Sequence, residues 1–146
     1  ENFNSVLRAN CIVINGEKNL EFENKIKRTF KKEIKIFYSK YKIKNMKNLQ
    51  DKEITAFAGI GNPSNFFDLL KDSNINVKNS FSFPDHHQYS QADFEKITKD
   101  SSTKIFTTKK DYYRLNDQQK EICDYVEINL NIENKDKLKN LIESNL

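Results

Sequence analysis

Residues 53–58 read as a strand that passes straight into Gly59-Ile60-Gly61 and then Asn62-Pro63. A strand ending in glycines and handing over to a helix start leaves the chain few options. Asparagine suits the N-cap and proline the first helical position, so a βα unit is expected here. Phe66, Phe67 and Leu70 give the apolar face of that helix. The same alternation recurs along the chain. Cys11 to Ile14 is a β-branched run closed by an Asn15-Gly16 turn. Phe22, Ile26, Thr29 and Phe30 fall at helical spacing, and residues 34–43 read as extended. Residues 77–83 are extended, and Ser90 to Asp93 is a capping-box pattern ahead of Phe94 and Ile97. Residues 104–107 make a short strand, residues 125–130 a single alternating strand, and Leu138, Leu141, Ile142 and Leu146 a terminal amphipathic helix. Alternating strands and helices imply an α/β layer structure.

A chain of 146 residues with 36% hydrophobic content, 11 Phe and 6 Tyr has the means to build one core. Its surface is polar, with 32% charged residues and a mean hydropathy of −0.82. The net charge of +4 fits an anionic lipid, a nucleotide or a membrane surface and selects none of them. Cys11 and Cys123 are the two cysteines; they form no CxxC and read as reduced, buried thiols. No stretch has the length of a membrane span, and no signal-peptide pattern is present. The opening at Glu1, already running into a strand, reads as a fragment, and the lysine-rich residues 25–47 as a boundary or hinge.

Three clusters carry candidate chemistry. The first is Gly59-Ile60-Gly61-Asn62-Pro63, where helix N–H groups face any bound anion. Ser64 occupies the place of a third glycine, so this is no dinucleotide fingerprint, and a tight strand-to-helix turn explains it more simply. The second is Phe83-Pro84-Asp85-His86-His87, which holds both histidines of the chain. Histidine serves general acid–base work near neutrality, and Asp85 can orient an imidazole. A surface loop and a metal site are the alternatives. Adjacent histidines on a strand point to opposite faces, which disfavours one shared ion. The third is Thr107-Thr108-Lys109-Lys110-Asp111, either a phosphate cradle or, more commonly, a capped and charged loop. Gly16, Gly59 and Gly61 are the only glycines, and none belongs to a G-x-x-x-x-G-K-[ST] pattern.

Taken in order, Ala56-Phe-Ala-Gly-Ile-Gly-Asn-Pro63, Phe66-Phe67, Phe83-Pro-Asp-His-His87 and Thr107-Thr-Lys-Lys-Asp111 with Arg114-Leu115 resemble the C-terminal half of the tetraacyldisaccharide 4'-kinase family. Leu7-Arg8-Ala9 leading into Val13-Ile14-Asn15-Gly16 resembles the segment just upstream. The resemblance implies a three-layer α/β/α lobe of a P-loop-type kinase whose P-loop lobe is missing. It divides the chain into residues 1–17 (end of the N-terminal lobe), 18–51 (linker or hinge) and 52–146 (C-terminal lobe). It implies ATP-dependent phosphorylation of the 4'-hydroxyl of tetraacyldisaccharide 1-phosphate, a lipid A precursor. ATP and Mg²⁺ would bind mainly outside this chain, which alone would be inactive. The full protein would sit at the cytoplasmic face of the bacterial inner membrane through its missing N-terminal part, with no nucleic-acid partner; the fragment would be soluble. Carried over, His86 is catalytic, paired with an aspartate of the other lobe; Asp85 supports it, and Gly59, Gly61 and Asn62 line the interlobe cleft. No metal ligand is assigned in this chain. His87 receives no role. The competing readings are a non-catalytic α/β module binding nucleotide or phosphate and, from Asp85-His86-His87, a DHH-type phosphoesterase, which lacks its further clustered aspartates.

Overall fold

The strand expected at 53–58 forms because its side chains alternate between two apolar layers. In β3 (Glu53–Ala58), Ile54, Ala56 and Ala58 face one layer and Phe57 the other, and all four are fully buried. The computed structural model describes residues 8–30 and 33–145. Leu7 and Leu146, which entered the sequence reading, lie outside the described residues. The other elements are β1 (Cys11–Asn15), α1 (Leu20–Thr29), β2 (Lys35–Ile43), α2 (Pro63–Asp72), β4 (Asn76–Ser82), α3 (Gln91–Ile97), β5 (Lys104–Thr108), α4 (Lys109–Tyr112), α5 (Asp117–Ile122), β6 (Cys123–Val126), β7 (Ile128–Ile132) and α6 (Lys135–Glu143).

The chain divides into two compact units, residues 42–129 and residues 1–41 with 130–146. In the unit of residues 42–129, four parallel strands lie in the order β4-β3-β5-β6. Phe66, Phe67 and Leu70 of α2 pack on one face with Ile54, Ala56, Ala58, Phe106 and Val126. Phe94 and Ile97 of α3 pack on the other with Phe57, Ile105, Leu115 and Cys123. This is the α/β/α layering that the family resemblance implied. From β3 the chain moves outward to β4, then returns past β3 to β5 on its other side. The carboxyl ends of β3 and β5 therefore flank a topological switch point, the place where open α/β sheets form their sites.

In the other unit, β1 and β2 are parallel, in register from Cys11 opposite Lys35 to Asn15 opposite Ser39, and α1 connects them. Ile26, Phe30 and Ile34 are its buried cluster, with Ile12 and Ile14 packed against them and Val13 43% exposed. The Tyr38 hydroxyl donates to the Glu23 carboxylate at 2.9 Å. That bond holds the Glu23 carboxyl below its usual range, and burial raises the Tyr38 phenol. Residues 18–51, read from sequence as a linker or hinge, contain α1, β2 and a short 3-10 turn at Met46–Asn48. Among the described residues no helix is long and apolar enough to cross a membrane.

The expected single strand at 125–130 is two strands in different sheets. The break falls at Glu127, whose N–H donates to the Asn45 side chain at 2.9 Å while its carbonyl accepts from Lys44 N–H at 2.8 Å. Asn45 also donates to the Tyr125 carbonyl at 2.9 Å, so one side chain ends the ladder from both sides. Helix α4 overlaps the run read as a capped loop or phosphate cradle, α5 lies in a stretch for which no element was expected, and each is capped from its own N-terminus, by Thr108 and Asn116.

Cys11 and Cys123 are both free. Cys123 is buried, donates to the Asp124 carbonyl at 3.3 Å, and burial pushes its thiol well above the ordinary range. In the native protein iodoacetamide should alkylate the partly exposed Cys11 and spare Cys123, whereas in denaturant both should react. Mass spectrometry of the two digests reads the outcome; native labelling of Cys123 at the rate of Cys11 would contradict the burial.

Candidate active site at the switch point

At the end of β3, Gly59 has no room for a side chain. A Cβ there would meet the Tyr89 hydroxyl at 2.7 Å, the Pro84 carbonyl at 3.1 Å and Asp111 Oδ1 at 3.3 Å. Glycine is required here by close approach, not by an unusual backbone angle. Gly61 is different: its added Cβ would meet only Asp85 Oδ2, at an ordinary 3.7 Å.

Asp111 follows the end of β5 and is fully buried. Its Oδ2 accepts from Gly59 N–H at 3.0 Å and from the Thr108 hydroxyl at 2.6 Å. Arg114 Nη1 donates to Asp111 Oδ1 at 3.3 Å and to the Gly59 carbonyl at 3.2 Å. Arg114 Nη2 reaches His86 Nδ1 at 3.0 Å. Arginine carries no acceptor, so the guanidinium is the donor in this contact. The Tyr89 hydroxyl is buried beside this carboxylate with no hydrogen-bond partner among the described residues, and burial first, then the Asp111 charge, push its ionisation up.

The loop carrying the histidines is pinned at both ends by rings on Phe57. Phe83 and Tyr89 meet Phe57 edge to face, at centroid distances of 6.3 and 5.0 Å. Gln119 of α5 adds a bond from its amide to the Tyr89 carbonyl at 3.1 Å. Between these anchors Asp85 and His86 form a turn, and His86 is left-handed, with φ 62°. The histidines diverge, as the sequence implied, but because of this turn and not because of strand alternation. His86 points outward with its side chain 72% exposed. His87 turns inward, stacks on Phe83 at 4.7 Å, and shares a 3.0 Å bond with Asp93. Asp93 belongs to the α3 capping box expected from sequence, and the Ser90 hydroxyl, His87 and the Ser90 N–H hold its carboxyl down at about 2. That stabilisation is complete above the usual carboxylate range and is lost as pH falls through about 2. His87 therefore braces the loop, and Asp85, His86 and His87 do not converge on one point.

Asp85 was expected to orient an imidazole. Its Oδ2 lies 3.8 Å from His86 Nε2, beyond a hydrogen bond, while its Oδ1 accepts from the His86 N–H at 3.0 Å and from Lys110 at 3.3 Å. Partial burial opposes ionisation of Asp85, but Lys110 and His86 outweigh it and hold the carboxyl below its usual range. Asn62 occupies the N-cap of α2 but makes no capping bond; its side chain accepts from the Ser64 hydroxyl at 2.6 Å. Pro63 takes the first helical position as expected. In the third cluster, Thr107 donates to the Phe57 carbonyl at 2.7 Å, Thr108 caps α4, Lys109 lies 5.6 Å over the Tyr125 ring, and Lys110 pairs with Asp85. Neither reading of this run holds as stated: it is the end of β5 running into the capped helix α4, with Asp111 buried and the two lysines engaged by Tyr125 and Asp85. Sequence reasoning gave Asp111 and Arg114 no role, although Thr108-x-x-Asp111 and the Asp111–Arg114 pair at i,i+3 were both visible as local signals.

The family model of tetraacyldisaccharide-1-P 4'-kinase matches residues 1–146, the whole chain. The chain belongs to the tetraacyldisaccharide 4'-kinase family. The tetraacyldisaccharide 4'-kinase of Pelagibacter ubique is 34% identical over 146 residues, covering 96% of this chain and 46% of that protein. The Rickettsia akari enzyme is 38% identical over 94 residues, covering 62% of this chain and 29% of that protein. A crystal structure of "apo" form LpxK from Aquifex aeolicus in complex with ATP superposes with a TM-score of 0.66 at 27% identity, covering 99% of this chain and 45% of that one. This chain thus spans less than half the length of the Pelagibacter ubique and Aquifex aeolicus proteins it matches.

The left-handed backbone of His86 costs a side-chain-bearing residue roughly 1–2 kcal/mol, which glycine does not incur. His86→Gly should therefore leave the protein at least as stable, with a gain of up to about 1 kcal/mol, whereas His86→Val should destabilise it. Urea denaturation of the two variants measures this; a His86→Gly variant less stable than His86→Val would contradict the strain.

Proposed function

We propose that this chain is the C-terminal part of the kinase that transfers the γ-phosphoryl group of ATP to the 4'-hydroxyl of tetraacyldisaccharide 1-phosphate. Within it, His86 is the residue presented to the reaction. The observation that carries this reading is the asymmetry of the histidine pair: His87 is committed to Asp93 and Phe83, while His86 stands exposed at the switch point. A residue held in a costly backbone conformation with an exposed functional group fits a catalytic role. In this reading His86 pairs with a carboxylate of the N-terminal half and the two act on the sugar hydroxyl. Asp85 keeps Lys110 and the turn in place, and Gly59, Gly61 and Asn62 lie along the same mouth, toward the acceptor.

The residues described here do not suit the main ATP site. The cations near the switch point are already engaged: Arg114 by Asp111, the Gly59 carbonyl and His86, Lys110 by Asp85, Lys109 over Tyr125. ATP and Mg²⁺ accordingly bind chiefly to the N-terminal half, where Mg²⁺ would neutralise charge on the transferring phosphoryl group. The full protein works at the cytoplasmic face of the inner membrane, reaching the lipid through its N-terminal part. A stand-alone phosphate- or nucleotide-binding module is the poorer account, because Lys109, Lys110 and Arg114 beside the switch point are each engaged by a partner within this chain.

Steady-state kinetics on the kinase containing this half test the proposal. His86→Ala should lower kcat by on the order of a hundredfold to ten-thousandfold with little change in KM for the lipid. His87→Ala should keep most of kcat and instead lose thermal stability, and Asp85→Asn should fall between. A crippled His87→Ala beside a near-normal His86→Ala would reverse the assignment. The 146-residue chain alone should show no turnover.

A further inference from the structure

We infer that Arg114, braced by the buried Asp111, is a positioning residue that holds the His86 ring in one orientation and as the Nε2–H tautomer. The inference rests on the reading of His86 above and deepens it. Three features carry it. Arg114 has only 17% of its side chain exposed, and Nη1 is fixed twice, to Asp111 Oδ1 and to the Gly59 carbonyl. A planar fork held at two points has little freedom left, so Nη2 is aimed. It is aimed at His86 Nδ1, 3.0 Å away, and its only capability there is to donate.

The consequence is chemical. A ring that accepts at Nδ1 carries its proton on Nε2, so its free edge is a donor. His86 then cannot take a proton at Nε2 while Arg114 holds it; it can offer Nε2–H to a carboxylate or phosphoryl oxygen brought up by the rest of the enzyme. Asp85 does not compete, since its carboxylate lies 3.8 Å from Nε2 and is occupied by Lys110 and the His86 N–H. The backbone supports the same geometry. The left-handed turn at His86, closed by a 3.3 Å bond from its N–H to the Gly59 carbonyl, brings the ring to the acceptor that Arg114 also grips. One carbonyl, that of Gly59, thereby ties the arginine and the histidine backbone together. Arg114 touches neither phosphate nor sugar in this role; it acts through His86.

Two measurements test the inference, the first on this chain alone. Nitrogen-15 spectra of the His86 ring, at a pH where the imidazole is neutral, should show Nδ1 as an unprotonated acceptor and Nε2 as protonated. In Arg114→Met the two nitrogen shifts should move toward each other as tautomers mix, with the fold checked by the unchanged capping-box signals of Ser90 and Asp93. Arg114→Lys, which keeps the charge but not the fork, should behave like Arg114→Met. Unchanged ring shifts in Arg114→Met would overturn the inference, as would a wild-type ring protonated on Nδ1. The second measurement is turnover by the complete kinase: both variants should lower kcat, by up to about a hundredfold for an ångström-scale misplacement, while KM for the lipid stays put. Ring shifts that move with no fall in kcat, in an enzyme where His86→Ala is crippled, would overturn the positioning role. If His86→Ala is itself harmless, the functional reading of His86 fails, and the spectra still decide whether Arg114 sets the ring.

Discussion

A carboxylate taken fully out of water survives only where every lone pair it turns inward is answered, and Asp111 is such a group. Its partners come from three directions: the amide at the end of β3, the hydroxyl that caps α4, and the guanidinium one turn further on. Removing one side of a buried, paired charge costs about 3–5 kcal/mol, so these bonds are not independent ornaments on a preformed loop. They fix where the chain leaves β3 relative to where it leaves β5. Everything at the mouth of the sheet, the absent side chain at Gly59, the aim of Arg114 and the seat of His86, refers back to that one buried charge.

The apolar layers make this possible without contributing chemistry. Phe57 lies at the centre of an aromatic group with Phe83, Tyr89 and Phe94, and this group clamps both ends of the loop 84–88. His87 extends the clamp by stacking on Phe83 and bonding Asp93, which ties the loop to the first turn of α3. The loop is thus rigid at its ends and strained at one residue. Strain of that kind persists where the surroundings over-determine it, and here the surroundings are Arg114, the Gly59 carbonyl and the Asp85 carboxylate. Two neighbouring histidines consequently have opposite fates, one engaged by the structure and the other left exposed.

Local signals were legible in the sequence and long-range ones were not. The β3–glycine–Asn62-Pro63–α2 passage and the Ser90–Asp93 capping box could be read because their physics lies within a few residues. The break at Glu127 could not, since the alternation runs on through it and the bond that ends the ladder comes from Asn45, 82 positions earlier. Helices of four and six residues, α4 and α5, have too little apolar periodicity to stand out, although both carry capping residues. The motif drew attention to His86, whereas the Arg114 contact depends on a left-handed turn and a partner 28 positions away, neither of which spacing reveals. Asn62 was expected to cap α2, but the hydroxyl of Ser64 claimed its oxygen.

Whether Asp111 organises the switch point can be read from backbone amide hydrogen exchange at Gly59 in Asp111→Ala, referenced to the amide of Phe57 in the same strand. The Gly59 amide donates to Asp111, so the account predicts that its protection collapses relative to Phe57 while the sheet core retains protection of its own. A Gly59 amide that exchanges in step with Phe57, at the same ratio as in the parent protein, would contradict the account.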